Sequence, residues 1–343
     1  MVKVGLVGFG MMGHMHFENY VRLAAEGVDV QLVAICDIRI EELKYENVTG
    51  NIATDTDHAE MDLSAYHLYD DLEKMLADES LDVIDLTLPT DLHAPIACDL
   101  LARGYHVFCE KPMAIHTSAG QQMVDAAHAH QKQLMIGQCL RFWPAYEYLQ
   151  KVVTEQLLGQ VISATFFRGG ATPKGWFVEK ERSGGAMLDM HIHDVDIIQW
   201  VFGLPEHVSS IARNVVPGSG YDVVSTNYIY ADGKVVNAQV DWTLQGDYGF
   251  EMSYRVNFEQ GNLVFINDMV QVNPNNSAGY TAELSSDRGY YRQLRYFIEC
   301  LIEGQPMSQA TPESTLHSLQ LVESEMLSAD RAGDKVSVAQ VLA

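Results

Sequence analysis

The chain has 343 residues, 47% of them hydrophobic and 20% charged, with 22 Lys and Arg against 46 Asp and Glu for a formal charge of −24. That length allows two domains at roughly 100 to 200 residues each, and the negative field excludes partners held through a phosphate backbone while favouring a neutral small molecule over an anion. No run approaches the roughly 18 to 20 apolar residues of a membrane span, no signal peptide precedes the folded pattern, and five scattered cysteines (Cys36, Cys98, Cys109, Cys139, Cys300) form neither a disulfide framework nor a zinc ribbon, so a cytoplasmic protein with reduced thiols is expected.

From residue 3 to about 142, short apolar runs alternate with amphipathic helical stretches, the signature of βαβ units and a parallel sheet. Strands are expected at 3–9, 30–37, 81–89, 105–112 and 133–142, and the polar segment 45–67 is read as a loop with a short strand. After residue 159 the period changes. Runs at 160–168, 207–216, 223–230, 234–244, 250–258 and 262–267, separated by turn residues such as Asp232-Gly233, suit antiparallel hairpins. Helices are expected at 289–303 and 312–332. The expected fold class is α/β: an N-terminal Rossmann domain with a doubly wound parallel sheet over 1–142, then an α+β domain over 143–343 with a mainly antiparallel open sheet. The second domain is expected to bind substrate and to oligomerise, its last helices packing back on the first. A sheet face left uncovered by helices points to a homodimer or homotetramer.

The first strand runs into Gly8-Phe9-Gly10-Met11-Met12-Gly13 and then a helix. Here the first glycine permits a tight turn, the second lets backbone approach a pyrophosphate, and the third lets helix pack on strand, with the helix N-terminus attracting the anion. Asp37 ends the second strand 24 residues past Gly13, where a carboxylate accepts hydrogen bonds from the adenosine ribose. A 2′-phosphate there meets a repulsion of about 4 kcal/mol per unit charge at about 4 Å and an effective dielectric of about 20. NAD is therefore expected over NADP, with Arg39, beyond Ile38, as the residue able to compensate.

In the stretch LDMHIHDVDIIQW (188–200), Leu188, Ile192, Val195, Ile198 and Val201 recur at helical spacing, and Gly203 with Pro205 supplies a stop. On a helix Asp189 and His193 share a face, whereas His191 and His193 point about 200° apart and cannot close on one ion. Asp189, His193 and Asp196 stack, but no further ligand cluster accompanies them, so no metal is expected. Proton transfer needs only His193, whose ordinary pKa of about 6.5 suits base work, with Asp189 to orient it. A plain surface ion pair is the alternative, and His191 and Asp194 read as structural.

Taken together, Gly8, Gly10 and Gly13, Pro89 with His93 in TLPTDLH, Glu110-Lys111-Pro112 in YHVFCEKPMA, and Asp189 with His193 in SGGAMLDMHIHDVD resemble the Gfo/Idh/MocA family of sugar and cyclitol oxidoreductases, over nearly the whole chain. The resemblance implies that Lys111 sits beside the nicotinamide and hydrogen-bonds the reacting hydroxyl, that Asp189 and His193 complete a triad across the domain cleft, and that a cis peptide precedes Pro112. It implies further cofactor contacts from Leu88, Pro89, Thr90, His93 and Glu110. Leu88-Pro89-Thr90 stands where the family often has Thr-Pro-Asn, which removes one amide contact and keeps a hydroxyl. Arg141, Trp143, Arg168 and Trp176 lie in segments the family places near substrate; packing and surface charge are their alternative roles. The expected activity is NAD-dependent oxidation of a secondary hydroxyl on a sugar, sugar derivative or cyclitol, with His193 or Lys111 as base. The rivals are a glycosidase using bound NAD for transient oxidation, a non-catalytic NAD-binding sensor, and a metal hydrolase.

Overall fold

The computed structural model describes residues 1–43 and 62–339, and the chain divides into two compact units. The first contains Met1–Ala114, Ser118–Cys139 and Gly289–Pro312; the second contains Ile115–Thr117, Leu140–Arg288 and Glu313–Ala343. Among the described residues no helix is long and apolar enough to cross a membrane. All five cysteines are free thiols.

In chain order the first unit runs β1 (Val2–Val7), α1 (Met11–Ala25), β2 (Val30–Cys36), α2 (Ile40–Leu43), β3 (His67–Tyr69), α3 (Leu72–Asp78), β4 (Val83–Leu86), α4 (His93–Ala102), β5 (His106–Cys109), α5 (Thr117–His130) and β6 (Leu134–Ile136). All six strands are parallel, in the order β3-β2-β1-β4-β5-β6. This doubly wound order reverses direction between β1 and β4, and ligands of such sheets bind beyond the carboxyl ends there. The central strands are apolar runs buried along their length, Val4 and Leu6 in β1 and Val83, Ile84 and Leu86 in β4, because helices cover both faces of a parallel sheet. One charged residue breaks that rule: Asp85, in the middle of β4, is fully buried. Of the polar segment 45–67, residues up to 61 lie outside the described residues, and His67 opens β3. The expected strands overshoot at their carboxyl ends. Where 133–142 was read as one strand, β6 stops at Ile136 and a 3-10 turn covers Cys139–Phe142.

The second unit continues with α6 (Pro144–Thr154), β7 (Val161–Gly169), α7 (Lys180–Ser183), α8 (Ile192–Phe202), β8 (His207–Arg213), β9 (Val223–Ile229), β10 (Val235–Asp241), β11 (Glu251–Phe258), β12 (Gly261–Ile266), β13 (Met269–Pro274) and β14 (Tyr280–Thr281). α9 (Gly289–Glu303) then belongs to the first unit, and α10 (Pro312–Asp330) and β15 (Val336–Ser337) end the chain's regular structure. The nine-stranded sheet has the order β14-β13-β12-β11-β7-β10-β9-β8-β15. Only β7 and β10 pair in parallel. Alternate residues, such as Ala164 and Phe166 in β7, Val236, Ala238 and Val240 in β10, and Tyr254 and Val256 in β11, are buried on one face. α6 packs there through Tyr146, whose ring lies 5.5 Å from both Tyr254 and Phe265. Each fully buried Val or Phe among them contributes roughly 1.5–3 kcal/mol. On the opposite face Ser163, Thr165, Arg255, Asn257, Asn262 and Val264 line a shallow groove.

Candidate functional site

The glycine turn is dictated by backbone crowding. Gly8 has φ +93°, and a Cβ there would lie 2.7 Å from the carbonyl oxygen of Thr87. A Cβ on Gly13 would lie 2.2 Å from the Gly8 carbonyl oxygen, so neither position accepts a side chain without backbone movement. Thr87 Oγ1 donates to the Gly8 carbonyl at 2.6 Å and clamps the turn to the end of β4. Gly10 differs: a Cβ there meets nothing within 4 Å. The described residues leave open space beside the backbone at this position, which is what close approach of a pyrophosphate needs. Gly10 is also the N-cap of α1, with no side-chain cap and no acid in the first turn. The first N–H groups of that helix, at Met11 and Met12, are thereby left to the solvent side, where both residues are half-buried, as an anion site requires.

Asp37 follows β2. Its Oδ2 accepts the Phe9 N–H at 2.8 Å and its Oδ1 accepts the Arg39 N–H at 2.8 Å, which ties the end of β2 to the glycine turn. Phe9 itself is buried against His14 and Phe17, while Ile38 and Arg39 are exposed.

Beyond β4, Pro89 leads into a 3-10 turn over Thr90–Leu92. Thr90 and His93 are buried. His93 Nδ1 lies 2.8 Å from the Pro112 carbonyl oxygen and Nε2 2.7 Å from that of Leu88, so the ring sits between the loop after β4 and the loop after β5 and, as a neutral imidazole, donates to one of the two carbonyls. Burial holds its pKa below the ordinary imidazole value, against the pull of the two carbonyls. The Lys111–Pro112 peptide is cis. Lys111 is half-buried at the carboxyl end of β5, whereas Glu110 is buried and turns inward to His16.

In the second unit, the run expected to be a uniform α-helix begins with a π-helical turn, Met187–His191, before α8. Such turns concentrate at functional sites. From Leu188 to Gln199 the only polar side chains that are not buried are Asp189 and His193. The other acids of the run are engaged internally. Asp194 accepts from Arg168 Nε at 3.0 Å and Nη2 at 3.1 Å. Asp196 accepts from Arg141 Nε at 2.8 Å and Nη2 at 2.6 Å, and from Ser318 Oγ at 2.6 Å. Both arginines are at most 3% exposed. His191, on the far side of the turn, lies with Nε2 2.8 Å from Glu325 Oε2, both wholly buried. Trp143 is half-buried with the Arg288 guanidinium 5.9 Å from its ring centroid, and Trp176 stacks on Phe177 at 4.2 Å.

Residues 2–138 match the family model described as "Oxidoreductase family, NAD-binding Rossmann fold", and residues 146–264 match the GFO/IDH/MocA C-terminal domain. The chain belongs to the Gfo/Idh/MocA family. Among characterised relatives, rhizopine catabolism protein MocA of Rhizobium meliloti is 29% identical over 203 residues, which is 59% of this chain and 57% of that protein. Inositol 2-dehydrogenase of Salmonella typhimurium is 27% identical over 203 residues, 58% of this chain and 54% of that protein. The chain therefore spans little more than half the length of these relatives. Among solved structures, levoglucosan dehydrogenase in complex with NADH and levoglucosan superposes with a TM-score of 0.84 at 19% identity, covering 98% of this chain and 99% of that one, a likeness of fold.

The Gfo/Idh/MocA match makes residues 2–138 an NAD-binding Rossmann fold. The open space at Gly10, the uncapped start of α1 and the carboxylate of Asp37 fit a dinucleotide held along the carboxyl ends of β1 and β2. Sequence reasoning missed Thr87, which locks the glycine turn, and the buried His16 and Asp85. His16 lies on the buried face of α1 with Phe17, Tyr20 and Leu23, where a histidine among apolar positions was the available signal.

Proposed function

We propose that this chain oxidises a secondary hydroxyl of a neutral sugar, sugar derivative or cyclitol. When bound, NAD supplies the acceptor for the carbinol hydrogen and its electron pair. Lys111 hydrogen-bonds the reacting hydroxyl and stabilises the charge that grows on its oxygen. His193 takes the hydroxyl proton at a ring nitrogen, and Asp189 orients that ring and balances the charge it gains. The observation that carries the reading is the pair Asp189 and His193, the two polar side chains that are not buried between Leu188 and Gln199. Neutrality of the substrate is supported by the charge of −24 and by Arg141 and Arg168, whose guanidinium groups are each matched by a buried carboxylate. Trp143 and Trp176 offer aromatic faces to the C–H face of the ring.

The test is a screen of myo-inositol, aldoses, anhydrosugars, glycosides and sugar acids with NAD and with NADP, following absorbance of the reduced cofactor. Neutral polyols are expected to reduce NAD, and sugar acids to react more slowly. A glycoside cleaved while no NADH accumulates would identify transient oxidation instead and overturn net dehydrogenation.

Asp37 makes a second expectation. Asp37→Asn keeps an acceptor for the Phe9 N–H and removes the charge that opposes a 2′-phosphate. Of the repulsion of about 4 kcal/mol, recovering about 1.4 narrows the NAD-over-NADP preference roughly tenfold. An unchanged ratio of the two dissociation constants, measured by fluorescence of NADH and NADPH, would place Asp37 away from the 2′ position. The same reading assigns the open face of the nine-stranded sheet to contact between copies of this chain, and a monomeric mass by light scattering overturns that assignment.

A further inference from the structure

Behind Lys111, within the first unit, lies a group of buried ionisable side chains that the reading above leaves without a task. His16 on α1 is wholly buried, with Nδ1 2.8 Å from Asp85 Oδ2 and Nε2 3.1 Å from Glu110 Oε1. Carboxylates only accept, and a neutral imidazole carries one N–H, so both contacts are hydrogen bonds only when the ring is protonated at both nitrogens. Burial by itself would lower the imidazole pKa; the charges and hydrogen bonds of Asp85 and Glu110 overcome it and hold the pKa at about 10. Tyr20, whose hydroxyl donates to the same Asp85 oxygen at 2.9 Å, and Cys109 are the other titratable groups packed there. Burial first, and the neighbouring carboxylates second, push both well above their ordinary values, so both stay neutral.

Glu110 is confined from its other sides as well. A Cβ on Gly137, just past β6, would lie 2.6 Å from its Oε1. Gln293 Nε2 of α9 lies 3.5 Å from the same oxygen. The second oxygen, Oε2, accepts the backbone N–H of Lys111 at 3.2 Å. One carboxylate oxygen is thus held by α1 and α9, and the other fixes the peptide plane from which Lys111 projects.

We propose that His16 is the positioning residue for Lys111: by gripping Glu110 from α1, the helix that starts at the glycine turn, it sets the backbone that carries the lysine. The proposal rests on the reading of Lys111 as the residue at the reacting hydroxyl. Placement of the lysine and order at the nucleotide turn then depend on one helix, which explains why a buried charge is kept where an apolar side chain would pack.

The test compares His16→Gln, Lys111→Ala and the double variant. In His16→Gln the Lys111 amide exchanges with solvent about tenfold or more faster, while the amides of β5 keep their protection. Turnover with NAD and myo-inositol falls roughly 10- to 100-fold in kcat, with the KM for NAD within about threefold of the parent. Added to Lys111→Ala, the His16 change gives no further loss, because it acts through the lysine. Unchanged Lys111 exchange, or losses that multiply in the double variant, overturn the proposal. If Lys111→Ala alone leaves turnover intact, the dehydrogenase reading fails, and the exchange measurement still decides whether His16 places the loop. Should His16→Gln fail to fold, NMR titration of the His16 ring in the unaltered protein decides: protonation at both nitrogens up to about pH 10 is expected, and loss of a proton near the ordinary value of about 6.5 overturns it.

Discussion

Asp196→Ala is expected to destabilise the protein by about 3–5 kcal/mol, because it strands a buried cation. Arg141 and Asp196 are each 1% exposed and joined by two parallel N–H to oxygen bonds. Removing the carboxylate leaves the guanidinium in a low-dielectric interior with Ser314 Oγ, 2.9 Å from Nη1, as a remaining neutral contact, and also deprives Ser318 Oγ of its acceptor. The loss appears as a lower urea midpoint, followed by far-ultraviolet circular dichroism. Replacing both partners, Arg141→Met with Asp196→Leu, removes the uncompensated charge along with the attraction, so most of the stability should return. A single-variant loss below about 1 kcal/mol would mean that the pair behaves as a solvated surface bridge, contrary to its burial.

The same pair shows where sequence reading stops. For Arg141 and Arg168 the sequence left substrate contact and packing both open, because their partners, Asp196 and Asp194, lie 55 and 26 residues away and nothing local marks the pairing. The glycine turn was legible because its constraint is local: Gly13 meets the carbonyl of Gly8, five residues back, whatever the rest of the chain does. The position of Asp37, though not its role, was legible for a similar reason, since it follows an apolar strand. The strand ends overshot because the residues after Val7, Leu86, Cys109 and Ile136 carry no local stop that marks where the backbone leaves the sheet to form the turns. The π-helical turn was invisible, since Leu188, Ile192, Val195 and Ile198 keep their spacing through it, and only the hydrogen-bond pattern distinguishes it from α-helix. Glu110 was read with its motif neighbours as a cofactor contact. Its side chain turns instead to His16, a long-range choice set by α1 and by the absence of a side chain on Gly137.

Lys111→Ala should lower kcat by about 10²- to 10⁴-fold, roughly 3–5 kcal/mol, while the dissociation constant for NAD stays within about threefold. The asymmetry follows from position: the glycine turn, Thr87 and Asp37 form their contacts at the ends of β1, β2 and β4, and none of those contacts involves the lysine. A loss confined to NAD affinity would make Lys111 a binding residue and remove it from the chemistry. The pH dependence then separates the two candidate bases. With His193 as base, kcat/KM declines on the acid side, because protonation fills the nitrogen that must accept the hydroxyl proton. That limb persists at reduced height in Lys111→Ala and disappears in His193→Gln. If the limb is lost with Lys111 and survives without His193, the proton goes to the lysine, and Asp189 with His193 becomes the pair that orients the hydroxyl.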